Sequence, residues 1–325
     1  MKKIFTLALT LTLFLTFSCT RKKAASTSTT DNTQGEELAG TISISGAFAL
    51  YPMVIRWGEE FKKLHPQIRF DVSAGGAGKG ISDALGELVD LGAVSREIYP
   101  EEIKKGAFPI AVTKDAVIAT VNAMNPNIKE ILSKGLTRQS FKNIYVEGTF
   151  KDWKQTGFSV SAPIHAYTRS DAAGAAETWA KYLDKNQEDL LGIGVFGDPG
   201  LLLAVKKDPF AIGFNNMAYV YDGKTQKQFP GIIIIPIDIN ENGKIDVEEN
   251  FYSTQHELIN AITEGKYPSP PARALYLVSK NKPNKKIVIE FLKWVLSDGQ
   301  KFVGPSGFIA LSSEDLTSEL IKITP

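Results

Sequence analysis

Arg169-Ser170-Asp171 stands directly before Ala172-Ala173-Gly174-Ala175-Ala176, a run with almost no side chains that leads into a helical pattern. A guanidinium is a rigid fork of donors matched to an oxyanion. A helix N-terminus adds unpaired N–H groups and the positive end of the macrodipole, and Gly and Ala let an anion approach them closely. The chemistry on offer is capture of a small tetrahedral oxyanion, with Asp171 placed to hold Arg169 in position. A plainer reading is that Ser170 or Asp171 caps the helix while Arg169 is a solvated or structural charge.

The same grammar occurs elsewhere in the chain. The strand "TISIS" (41–45) runs through "GAFALYP" into a helix with Pro52 in its first turn, a favoured place for proline. Val54, Trp57, Phe61 and Leu64 give that helix an apolar stripe, and His65-Pro66 ends it. The strand "IRFDVS" then meets "AGGAGKG" and a second helix expected from about Ile81. "APIHAYT" precedes the third helix, which carries Trp179, Tyr182 and Leu183. Strands alternating with helices predict α/β layers with mainly parallel sheets. Three small-residue loops at helix starts could then converge on one cleft, with Arg169 at its edge.

Rival chemistries fail on spacing. In "GGAGKGIS", Gly80 follows Lys79 where a nucleotide phosphate loop needs Ser or Thr, and Gly76, Gly78 and Gly80 do not fit a dinucleotide fingerprint. His65, His165 and His256 are too scattered for a catalytic zinc site. Ser306 in "VGPSGF" lacks the spacing of a nucleophile elbow. No acid–base pair announces itself, and no enzyme is expected. "DINENGKIDVEE" does match a calcium loop, with Asp238, Asn240, Asn242, Lys244 through its carbonyl, Asp246 and Glu249 as ligands. It follows the strand "GIIIIPI", so the alternative is a polar turn with Asn-Gly at its tip. No cofactor is required; a structural calcium is the one candidate.

The whole chain has 325 residues, a formal charge of +1 and the composition of a globular protein, so bulk charge favours no nucleic-acid partner. Lys2 and Lys3 precede an apolar stretch, Ile4 to Phe17, too short to span a bilayer, which reads as a secretory signal over 1–18. Cys19, the chain's single cysteine, follows Ser18 as at a bacterial lipoprotein cleavage site; an ordinary signal with a chance cysteine is the alternative. Residues 19–39 are polar, Ser/Thr-rich and aperiodic, as a tether would be. The body is expected to be monomeric and held to the membrane only by a lipid.

With these residues in hand, the body resembles the phosphate-binding proteins of bacterial ABC importers. "SGAFALYPMVIRW", "SAGGAGKGI" and "RSDAAGAAETW" look like the family's three anion loops. "VDLGAVSREI", "FKNIYVEGTFKDW", "DPFAIGFNNMAYV" and "FLKWVLSDGQKFVGPSGFIAL" match the segments between and after them. The resemblance implies a two-lobed periplasmic-binding-protein-like (type II) fold: lobe I from 40–119 and 272–325, lobe II from 120–271, ligand between. It implies a receptor in the bacterial cell envelope that closes around phosphate and delivers it to an ABC permease. On it, Arg169 is the charge partner, oriented by Asp171. The N–H groups of Ala47, Phe48, Ala77, Gly78, Gly174 and Ala175 are donors, and Ser95 and Arg96 contribute in second rank.

The departures from the family pattern are specific. Ala77, Ala173 and Ala175 stand where hydroxyls are frequent, and Ser95-Arg96 stands where some members carry a proton-accepting aspartate. Each lost neutral hydrogen bond is worth on the order of 1 kcal/mol, so three together approach roughly two decades of affinity. Two other readings follow: a receptor for sulfate, molybdate, tungstate or an organic phosphate, or an envelope adhesion or sensing protein on the same scaffold.

Overall fold

A computed structural model describes residues 38–324, within a single compact unit. The signal segment, Cys19 and most of the tether lie outside the described residues. In chain order the body runs β1 (Gly40–Gly46), α1 (Tyr51–Leu64), β2 (Ile68–Ala74), α2 (Ala77–Leu85), β3 (Leu91–Val94), α3 (Pro100–Lys104) and β4 (Ala107–Asn122). It continues through α4 (Ile128–Lys134), α5 (Arg138–Tyr145), β5 (His165–Arg169), α6 (Gly174–Tyr182), β6 (Ile193–Val195), α7 (Gly197–Lys207), β7 (Ala211–Asn216) and β8 (Ile232–Ile234). It ends with α8 (Gln255–Thr263), β9 (Ala272–Lys280), α9 (Lys286–Val295) and α10 (Ser313–Ile323). No helix among the described residues is long and apolar enough to cross a membrane.

The strands lie in the order β2-β1-β3-β9-β4-β7-β5-β6, with β8 also on β4. Pairing is parallel within β2-β1-β3 and within β7-β5-β6, so each half has the architecture of strands linked by crossover helices. The two halves meet through β4 and β9, which are antiparallel to each other. β4 is 16 residues long because it serves both halves. Its stretch from Ala107 to Ala116 pairs with β9, and from Val117 to Val121 it pairs with β7. Alternating Ile42 and Ile44 in β1 and the Met53-Val54-Trp57-Phe61 stripe of α1 bury into one core. A second core gathers Phe141, Tyr145, Trp179 and Phe214. Along β4, Val112 belongs to the first core and Ala116 to the second.

Helix α2 starts at Ala77, earlier than the expected Ile81, because Gly76 (φ +92°) turns the chain and leaves the start of the helix free of any side-chain cap. Helix α1 matches its pattern, and Trp57 Nε1 donates to Gly299 O at 2.9 Å, tying it to the C-terminal segment.

On the crossing strands, Asp115 of β4 is opposite Arg273 of β9. The pair is 3.8 Å apart, and neither oxygen of the fully buried Asp115 has a hydrogen-bond partner. Burial therefore outweighs the attraction of Arg273 and pushes the carboxyl from its ordinary 3.8 up to about 6. Between those values the folded chain holds a proton that the unfolded chain has released. The resulting stabilisation is present below about pH 4 and is lost as pH rises through about 6, an effect on the order of 3 kcal/mol. Urea unfolding at pH 4 to 7 is expected to show the stability of wild type falling relative to Asp115→Asn over that window. A pH-independent difference between the two proteins would refute the shift.

Candidate anion-binding site

The small-residue loop that follows β5 touches the segments that follow β2 and β3 in the other half. Gly78 N–H donates to Ala172 O at 3.0 Å. A Cβ on Gly76 would lie 2.8 Å from Asp171 Oδ2, and one on Gly174 would overlap Ser95 Oγ and its carbonyl. The halves thus meet at backbone distance, which only glycine permits at these points. From the other side, Tyr219 Oη donates to Phe48 O at 3.1 Å, and the Phe48 ring meets Phe196 edge-on at 5.7 Å.

Arg169 ends β5 with its side chain 1% exposed. Its Nε and Nη2 donate to Asp171 Oδ1 and Oδ2 at 2.8 and 2.6 Å, and Nη1 donates to Asp198 Oδ2 at 2.6 Å. Burial alone would lower its basicity, but Asp198 and Asp171 outweigh it and hold the guanidinium above its ordinary range. Three of the five donors are occupied in this way, which leaves one N–H on each terminal nitrogen. The capping alternative for Asp171 is not what the structure shows: α6 starts at Gly174 with no side-chain cap, and Asp171 serves Arg169 and the Gly197 N–H.

Of the expected backbone donors, Phe48, Ala77, Gly174 and Ala175 have N–H groups with no partner among the described residues. Two others differ. Ala47 N–H is held by Ala93 O at 2.8 Å, a bond that seats the first loop on β3, and Gly78 N–H serves the contact between the halves. Ser95 is 2% exposed, with its Oγ against Gly174. Arg96 also departs from expectation. Glu102 takes its fork at 2.9 and 2.7 Å, Glu97 O accepts at 2.8 Å, and the guanidinium stacks on Tyr99 at 4.0 Å. Once so paired, it is committed to α3 and not to the loops.

Sequence reasoning passed over Asp198, which is fully buried in the first turn of α7. "FGDPG" reads as an ordinary helix start, with Asp as a first-turn acid and Pro beside it, and only the fold brings it to Arg169. The Phe48 ring, 5.5 Å from the Arg169 guanidinium carbon, was equally hidden, since its backbone alone had been singled out. With Asp171 and Asp198 both against Arg169, the cluster carries two negative charges to one positive. What such a cluster offers to an anion is N–H dipoles and the two remaining guanidinium donors.

The loop 238–249 closes on itself. Asp238 accepts the N–H groups of Asn242 and Gly243 at 3.2 and 2.8 Å, and Glu249 accepts those of Ile239, Asn240 and Asp246. Lys244, Asn240 and Asn242 donate to Asp246 and lower its carboxyl to about 2. Among the described residues, no three carboxylate, histidine or cysteine side chains converge as a metal would need.

Known proteins share this architecture. The chain is 28% identical over 226 residues to the phosphate-binding protein PstS of Bacillus subtilis, covering 69% of this chain and 73% of that protein. It is 24% identical over 303 residues to PstS of Staphylococcus saprophyticus, covering 90% and 86%. In structure it is similar to an ABC-type phosphate transport receptor from Vibrio cholerae, with a TM-score of 0.61 at 19% identity, covering 83% of this chain and all of that one. That likeness establishes the two-lobed fold. The model of the PBP superfamily domain matches residues 26–299, and with the loops and lobes arranged as above, the chain belongs to that superfamily of solute-binding proteins.

Proposed function

We propose that the protein captures inorganic phosphate outside the cytoplasm and delivers it to an ABC permease, performing no chemistry on it. The observation that supports this reading is the set of unpartnered N–H groups of Phe48, Ala77, Gly174 and Ala175, which lie on loops of both halves that meet beside the buried Arg169. The names of the Bacillus and Staphylococcus relatives and of the Vibrio receptor support phosphate as the ligand. On this reading lobe I comprises 40–119 and 272–325 and lobe II 120–271. Residues 1–18 direct export, Cys19 carries the lipid, and the receptor works as a monomer in the cell envelope.

One observation favours a second reading, a receptor for sulfate or another fully deprotonated oxyanion. Both carboxylates at the site are engaged with Arg169, and Ala77, Ala173 and Ala175 bring no hydroxyls. A proton on the ligand therefore has no carboxylate of its own to meet.

Calorimetry with phosphate and then sulfate, above and below the second ionisation of phosphate, separates the two. Phosphate is expected to bind at micromolar concentration or tighter. Arg169→Ala removes two charge-assisted bonds, about 1.5–3 kcal/mol each, and strands two buried carboxylates, so affinity should fall by at least about 1,000-fold. No detectable phosphate binding by folded wild type would sink the phosphate reading.

Gly174→Ala makes a separate demand. Its Cβ would collide with Ser95, so the lobes should fail to close and phosphate affinity should drop by at least about 100-fold. Because neither core is touched, ligand-free thermal unfolding should stay near that of wild type. Affinity unchanged in this variant would mean that closure is looser than the contact requires.

The self-closed loop 238–249 favours the turn reading over the calcium one. Calcium at about 1 mM is expected to shift the unfolding midpoint by less than about 1 °C. A rise of several degrees, reversed by a chelator, would reinstate a calcium site.

A further inference from the structure

Asp198 does more than face Arg169. Its second oxygen, Oδ1, accepts both the N–H and the Nδ2 of Asn216, at 3.0 and 2.8 Å, and its own carbonyl accepts Asn215 Nδ2 at 3.0 Å. Asn216 is 1% exposed and ends β7, where it is paired with Val117 of β4. Its remaining polar atom, Oδ1, accepts from Arg273 Nη2. Arg273 lies on β9 beside Asp115 of β4, so the last members of this series are the two crossing strands themselves.

Each member has a defined role in the direction of these bonds. A carboxylate at 198 can accept on both sides, from Arg169 and from Asn216, which an amide could not do without turning a donor toward a donor. An amide at 216 can donate to Asp198 and accept from Arg273 at once, which neither a carboxylate nor a hydrocarbon could. The series is therefore directional, and each link restricts the rotamer of the next.

We infer that Asp198 and Asn216 form a relay through which Arg273, on the crossing strand, positions the Arg169 fork, making Asn216 and Arg273 positioning residues for the anion. This rests on the reading that the cleft takes an oxyanion. Neither residue need touch the ligand. Arg273→Lys keeps the positive charge beside Asp115 but gives up the planar fork that reaches Asn216. Asn216→Ala removes the middle link while leaving Arg169 with both of its carboxylates.

The test is a double-mutant cycle read in anion affinity, with ligand-free thermal unfolding measured alongside. Wild type is titrated first with phosphate and sulfate. Asn216→Ala is expected to weaken binding about 10-fold and Arg273→Lys about 5-fold, and the double variant should bind no worse than Asn216→Ala alone, because both changes break one series. A purely structural role predicts a lower unfolding midpoint with affinity unchanged at a temperature well below it, and that result overturns the relay. Fully additive losses also overturn it, since they mean two separate effects. If wild type binds sulfate and not phosphate, the phosphate reading falls and the relay is judged by the same cycle with sulfate. If wild type binds neither, both fall.

Discussion

The structure is organised around a buried guanidinium that cannot be left alone. Removing Arg169 from water is costly, and a single exposed ion pair would not offset it. Asp171 takes one edge of the group and Asp198 the end of another, and each carboxylate is in turn fixed by backbone N–H groups, of Gly197 for the first and Asn216 for the second. The local sequence then has to supply three elements in register: the end of β5 for Arg169, the turn before α6 for Asp171, and the first turn of α7 for Asp198. The arginine is thereby held whether or not an anion is present. On the proposed reading, a ligand meets two guanidinium donors held on a fixed fork and a set of loop N–H groups, so little ordering is left to be done on binding.

This arrangement separates charge from recognition. The cluster of Arg169, Asp171 and Asp198 is negative overall, so attraction at long range does not come from it. On the proposed reading, recognition comes from dipoles at short range, where Ala77, Gly174 and Ala175 leave the backbone open to an oxyanion. The same lack of side chains lets Gly76, Gly78 and Gly174 meet the opposing loops. On the proposed reading the requirements for close approach to a ligand and for close approach of the halves coincide at Gly174, while Gly76 and Gly78 serve only the approach of the halves.

Much of this was legible in the sequence. Alternating strands and helices, the three small-residue loops and the Arg-Ser-Asp triplet are local patterns, and local patterns survive translation into structure. Arg169 with Asp171 was found because two residues apart at a strand end is a distance the chain itself fixes. Arg96 was misplaced because its partner, Glu102, sits on a short helix whose direction no local pattern gives. Ala47 was misplaced because whether a loop N–H is already taken depends on the neighbouring strand, here Ala93 on β3. Asp198, Asn216 and Arg273 were invisible for one shared reason: they come from three elements brought together only by the order of strands in the sheet.

That strand order also dictates when the fold can be finished. β9 lies between β3 and β4, at the centre of the sheet, yet it is the last strand in the chain. Until it arrives, β3 and β4 each present a bare edge, and the first core lacks Leu275, Leu277 and Val278. A chain emerging from its N-terminus must therefore complete the whole inserted half before the first half can close. For about 150 residues of synthesis or export, the early strands depend on being kept from other chains. The most exposed stage of such a chain is therefore the one just before its last central strand is delivered.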